Sequence, residues 1–174
     1  MNPASTLNPS RFGPGPVGLL ERGRRLLESL PYSAIALLAR FGIATTFWQS
    51  GQTKVEGFVV DPIGGHFMLG VPHLAPGTVD LFRDEYALPI IPPEIAAVMA
   101  ASAEHLFPLL LLLGLATRVS ALALLGMTLV IQTLVYPSAY ATHAVWATAL
   151  ILLAARGAGV VSLDQLIAPR PARG

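Results

Sequence analysis

The sequence predicts an all-α membrane protein: a four-transmembrane-helix bundle with an N-terminal interfacial amphipathic helix and a long outer loop. Three observations predict it. First, the 174 residues are 53% hydrophobic and only 12% charged, with mean hydropathy +0.62, whereas a soluble domain carries about 25% charged residues. Second, four apolar stretches approach or reach the roughly 17–25 residues a helical span needs. Third, basic residues are distributed unevenly among the joining segments. The length suits one domain. Net charge is +1, which gives nucleic acid no footing as a partner. Cysteine is absent, so disulfides, thiol chemistry and thiolate metal sites are excluded.

In chain order, residues 1–16 are expected to be a disordered tail. The opening "MNPASTLNPSRFGPGPVG" has no apolar core after its start, so no cleaved signal peptide is expected. Residues 17–30, "VGLLERGRRLLESL", can place Leu19, Leu20, Leu26, Leu27 and Leu30 on one side with arginines opposite. That pattern suits a helix lying on an anionic leaflet; a solvated linker is the alternative. Residues 31–156 are expected to form the membrane domain, with spans at 32–50, 93–116, 119–136 and 138–155. The last two are joined by "YPSAY" and must form a tight antiparallel pair. Residues 157–174 remain as a cytoplasmic tail.

Arg11, Arg22, Arg24 and Arg25 precede the first span, Arg118 separates the second from the third, and Arg156, Arg170 and Arg173 follow the fourth. The loop 51–92 has only Lys54 and Arg83 against Glu56, Asp61, Asp80, Asp84 and Glu85. The positive-inside rule then puts both termini in the cytoplasm and loop 51–92 outside. Within that loop, "DPIGGHFMLGVPHLAPG" is rich in Gly and Pro and is expected to be irregular. "TVDLFRDEY" predicts one short helix with Thr78 as its N-cap. Pro93 suits the first turn of the second span. His66, Met68 and His73 are types that bind soft ions, but their spacing matches no known site, and no metal site is assigned.

Charged groups inside a bilayer cost about 2.5–3.5 kcal/mol each on insertion scales. Depth, at about 1.5 Å per residue from the cytoplasmic ends, puts Glu104 at about 20 Å, His105 at about 18 Å, Gln132 at about 21 Å, His143 at about 20 Å and Gln49 at about 24 Å. Each span thus contributes to one polar layer near the outer face. Pro108 removes the helical bond to the carbonyl of residue 104 and should bend the second span there. Arg40 lies at about 10 Å, below the layer; it is a counter-ion for Glu104 or snorkels to the inner headgroups. Lys54 can crown the layer from outside. The layer is either structural glue across helices or a site for a small molecule or proton.

"RFGIATTFWQSGQTKV", "AEHLFPLLLLLGLATRVSALALLGM" and "RGAGVVSLDQL" together resemble the DoxX family of small four-helix bacterial membrane proteins, over roughly 40–56 and 94–167. Many members carry histidine immediately before the glycine matching Gly51; here Ser50 stands there. The resemblance implies a multi-pass protein of the bacterial inner membrane. The family name is tied to a quinone-reducing sulfur oxidoreductase in which such a chain is a subunit, and other relatives are associated with oxidative or metal stress. It implies a membrane subunit that binds a quinone or similar lipophilic molecule and serves a redox or stress partner. The chain has no haem-attachment motif and no nucleotide loop, so it is not expected to be an enzyme alone. The expected ligand-binding residues are Gln49, Trp48, His105, Gln132, His143, Lys54 and Arg40, with Glu104 as proton relay. The alternative is a non-enzymatic partner or small transporter passing protons, metal or a small solute. Membrane lipid, a redox or stress protein and further copies of the chain are the expected partners.

Overall fold

The computed structural model describes residues 15–62 and 64–168. The expected disordered tail therefore lies almost wholly outside the described residues. Helix α1 (Pro16–Glu28) opens with proline in its first turn, where a missing amide costs nothing. Arg24 bonds Glu21 at 2.6 Å and Glu28 at 3.2 Å along its exposed face, pairs that contribute little.

Helix α2 (Tyr32–Gln52) buries Ala36, Arg40, Ile43, Ala44, Phe47 and Gly51, one stripe at helical spacing. Thr45 and Thr46 turn their hydroxyls back to the carbonyls of Phe41 and Gly42, each at 2.9 Å, so neither presents a bare polar group. Helix α2 runs two residues beyond the expected boundary at 50, and this matters for the site.

The following stretch is not irregular. Strands β1 (Val55–Asp61) and β2 (His66–Leu74) pair antiparallel. Their β-branched and aromatic residues suit a pleated surface. The pairing requires glycine at two positions, 57 and 70, the second of them in the stretch expected to be irregular. Gly57 has φ +79° at a bulge, and a Cβ there would lie 2.5 Å from the Val71 carbonyl oxygen. A Cβ on Gly70 would lie 2.6 Å from the Gly57 carbonyl oxygen. Asp61 Oδ1 accepts from the Gly64 amide at 2.9 Å and closes the tip.

Helix α3 (Thr78–Asp80) continues in wider π turns over Leu81–Tyr86. Its N-cap is Gly77 rather than Thr78; the Thr78 hydroxyl instead donates to the Lys54 carbonyl at 3.2 Å. Phe82 is buried against Ala96 and Ala97, with Leu74, Tyr86 and Ile91 around it. Helix α4 (Pro93–Leu113) starts on Pro93, runs unbroken through Pro108 and ends at Gly114 in the left-handed region. It buries Ala97, Ala101, Glu104, Pro108 and Leu111 on one stripe. Helix α5 (Thr117–Val130) ends in a π turn over Ile131–Val135. A single 3-10 turn at Pro137–Ala139 leads into α6 (Tyr140–Arg156). The short helix α7 (Leu163–Ile167) is capped by Ser162, whose hydroxyl accepts from the Gln165 amide.

Leu111, Leu124, Leu150 and Leu153 are fully buried and belong to the core. Outward faces stay apolar: Ile95, Val98, Leu106, Leu122, Val145 and Ile151 are each more than half exposed. Among the described residues three helices, Pro93–Leu113, Thr117–Val135 and Pro137–Arg156, are long and apolar enough to cross a membrane, and up to four if α1 with α2 counts as one span. Such exposed apolar faces need lipid, not water, around them.

Candidate functional site

The stretch around Glu104 meets the end of α2 at close quarters. A Cβ on Gly51 would lie 2.9 Å from His105 Cε1 and Nδ1 and 3.1 Å from Glu104 Cβ. Only a glycine lets the two backbones approach this far. Lys54, just past α2, reaches into the gap. Its Nζ lies 2.8 Å from Glu104 Oε2, and both side chains are at most 4% exposed. The same ammonium donates to Ser50 Oγ at 3.0 Å and the Ser50 carbonyl at 3.2 Å. The ammonium thus has one carboxylate oxygen and two Ser50 oxygens around it. The Lys54 carbonyl accepts from the Ala75 amide at 2.9 Å and from Thr78 Oγ1. One residue therefore ties α4, α2 and the segment after β2 together.

His105 belongs to a second, oriented network. The Val60 amide donates to Gln52 Oε1 at 2.8 Å. The Gln52 amide nitrogen must then be the donor toward His105 Nε2, at 2.8 Å. His105 Nε2 accepts, so Nδ1 carries the proton and donates to the Ala101 carbonyl at 2.7 Å. The polarity of the chain assigns a neutral imidazole with a fixed tautomer. Trp48 stands edge-on to His105, with centroids 5.0 Å apart, and its Nε1 donates to the Val60 carbonyl at 3.0 Å.

A groove of about 570 Å³ lies beside this network, lined by Val55, Phe58, Pro72 and Leu74 of the hairpin and by Val98, Ala101, Ser102 and His105 of α4. It is apolar apart from His105, Ser102 and the rim residue His73. That is the usual make-up of a small-molecule pocket: an apolar slot with a few polar groups.

The expected single layer is divided. His143 Nδ1 lies 2.7 Å from Gln132 Oε1, and Gln132 Nε2 donates to the Pro137 carbonyl at 2.8 Å. His143 also packs on Trp146, which meets Phe47 at a tilt. This cluster serves the α5–α6 turn. Next to it Tyr136 bonds Glu85 and rests edge-on against Tyr86. Burial pushes the Tyr86 hydroxyl up to about 12, with Tyr136, Glu104 and Glu85 adding to the shift.

Two expected site residues lie elsewhere. Gln49 is exposed, because the buried stripe of α2 passes through Phe47 and Gly51 and leaves residue 49 on the far side. Gln52 takes the place expected of it. Sequence reading missed Gln52 by ending the helix at 50; one more half-turn puts it directly above Trp48. Arg40 is neither counter-ion to Glu104 nor a snorkelling residue. It is 2% exposed and donates to the carbonyls of Leu111 (2.7 Å), Leu112 (2.6 Å), Ala158 (3.2 Å) and Val161 (2.7 Å). The guanidinium serves carbonyls of the last turn of α4, where the regular helical bonds run out and Leu111 otherwise accepts only from the Gly114 amide, and clasps the segment after α6. Asp164 completes the clasp by accepting from the Ala116 and Thr117 amides at 2.7 and 2.9 Å. Burial raises its carboxyl, but the Thr117 and Ala116 amides and the nearby Arg40 outweigh that and hold it below the usual range. Residues 157–168, expected only as tail, are built into the end of the helical unit.

Among the described residues no group of three or more His, Asp or Glu converges as a metal site would. Apolar spanning helices, a buried lysine–glutamate pair and an arginine clasp define a multi-pass membrane protein with a polar centre near one end. The DoxX family model matches residues 35–137, more than half of the chain, and the chain belongs to that family. No curated protein and no solved structure matches it.

Proposed function

We propose that this DoxX protein is a membrane subunit that binds a quinone or similar small lipophilic molecule and serves a redox or stress-response partner. The observation that supports it is the 570 Å³ apolar groove with His105 on its wall, next to the buried Lys54–Glu104 pair. A flat ring fits against Phe58 and the His105–Trp48 edge. His105 and Trp48 spend their N–H groups on backbone carbonyls, so the donor that α4 leaves on the groove wall for a ligand carbonyl is the Ser102 hydroxyl. A bound quinone would supply two-electron, two-proton chemistry. In this reading Glu104 holds a proton for it.

In this reading α2 is the first of four spans in a bacterial inner membrane, α1 lies on the cytoplasmic leaflet, and both termini are cytoplasmic. Arg118 and Arg156, both exposed, stand where the positive-inside rule wants them. Passage of protons, metal or solute through the protein has less support, because Leu111, Leu124, Leu150 and Leu153 are fully buried and the Arg40 guanidinium is engaged by four carbonyls.

The test is extraction. Protein purified in mild detergent is extracted with organic solvent and the extract assayed for quinones. Ser102→Phe, at an exposed wall position, should fill the groove and remove the quinone without unfolding the chain. In parallel, added quinone should quench Trp48 in a Trp146→Phe background. Absence of both extracted quinone and quenching would sink the proposal.

A further inference from the structure

We propose that the β1–β2 hairpin is seated in the lipid interface on the loop side of the spans, with β2 lying against acyl chains rather than projecting into water. This does not depend on what the groove binds. Strand β2 exposes Phe67 (64%), Met68 (56%), Leu69 (80%) and Val71 (85%), on both of its faces, with no charged residue between His66 and His73. In water such a run is an aggregation site. The strand is not free to swing outward. Gln52 Oε1 and Trp48 Nε1 both hold Val60, and Trp48 lies about 6 Å below the end of α2. The far end of β1 is therefore drawn back beside the span instead of standing above it.

The polar residues of the hairpin sit at its two ends. Asp61 pairs across from His66 at the tip, and Glu56 across from His73 at the base. An apolar middle with polar ends suits a ribbon lying in the plane of the interface, its ends among headgroups. The apolar surface is continuous with the span: Val98 of α4 lines the groove under Gly70 and Pro72, and Ile95 and Met99 beside it are 53% and 55% exposed. Strand addition by a second copy fits less well. Pro72 removes an edge donor, and the bulge at Gly57 twists the ribbon. At the interface, water and headgroups serve the free edge, which the hydrocarbon core could not.

The chain has no cysteine, so single cysteines report cleanly. Leu69→Cys, Val71→Cys and, as control, Asp84→Cys are labelled with an environment-sensitive fluorophore. The full chain is reconstituted in vesicles of phosphatidylglycerol and phosphatidylcholine containing brominated phosphatidylcholine. Both hairpin positions are exposed, so neither substitution removes packing. Expected is blue-shifted emission at 69 and 71, quenched most by bromines about 5–10 Å below the headgroups and several-fold less by aqueous iodide, with the reverse at 84. Iodide quenching at 69 and 71 equal to that at 84 would overturn the proposal. So would protection from both quenchers, which would mean that a second copy covers the strand.

Discussion

Removing one partner of the Lys54–Glu104 pair should cost far more than removing both. At 2.8 Å, two unit charges attract by about 6 kcal/mol at an effective dielectric of about 20. Taking both out of water costs several kcal/mol per ion, so the intact pair contributes little net stability. Glu104→Leu leaves an ammonium that is 4% exposed with only Ser50 as partner, and Lys54→Met leaves the bare carboxylate. Each single variant should lose about 3–5 kcal/mol. The double variant should return to within about 1–2 kcal/mol of wild type, since two apolar side chains of similar volume then meet. The assay is reversible unfolding in mixed micelles, followed by tryptophan fluorescence for all four proteins. Losses under about 1 kcal/mol in the single variants, as for a surface pair, would refute the reasoning; so would a double variant as unstable as the sum of the singles. Glu104→Gln adds the functional arm. It keeps shape and hydrogen bonding but carries no proton to give, so full activity with glutamine would reduce Glu104 to a strut.

Arg40→Lys should destabilise by about 1–3 kcal/mol per carbonyl left unserved, because an ammonium cannot reach four oxygens on two segments; thermal unfolding measures it. Asp164 has a lowered native pKa, so the stability it contributes is whole well above its ordinary value of 3.8 and is lost as the pH falls through the native value. Asp164→Asn should flatten that acid limb of the stability profile, and an unchanged limb would assign it to another carboxylate. Topology is read with an impermeant thiol reagent on intact cells: Asp84→Cys should label and Gln165→Cys should not, and the opposite result would invert the orientation.

Helix positions were legible because hydropathy is additive along the chain: the three long apolar helices start and stop within a few residues of the boundaries expected from it. The meeting of Lys54 with Glu104 was half legible. Depth arithmetic gives height in a bundle but not direction around a helix. It put Gln49, His143 and Gln132 level with Glu104, yet the first faces outward and the other two bond each other. A two-residue error in the end of α2 was enough to exchange Gln49 for Gln52. The hairpin was hidden by its own requirements, since Gly57 and Gly70 look like loop residues until the strands are paired. The partners of Arg40 were not legible at all, because they are carbonyls, which every residue has, and Ala158 lies 118 residues away.

That distance has a consequence for how the protein is made. The carbonyls of Leu111 and Leu112 emerge from the ribosome well before the segment that shares their guanidinium. Arg40 can reach α4 early, but its hold on Ala158 and Val161, and the capping of α5 by Asp164, must wait until the chain beyond α6 has been synthesised. Insertion of the helices and closure of the end that Arg40 clasps are thus separate events in time. A chain stopped at Arg156 should enter the membrane normally and yet stay open to protease between α4 and α5, while a fusion joined after Ala168 should leave the closed end intact.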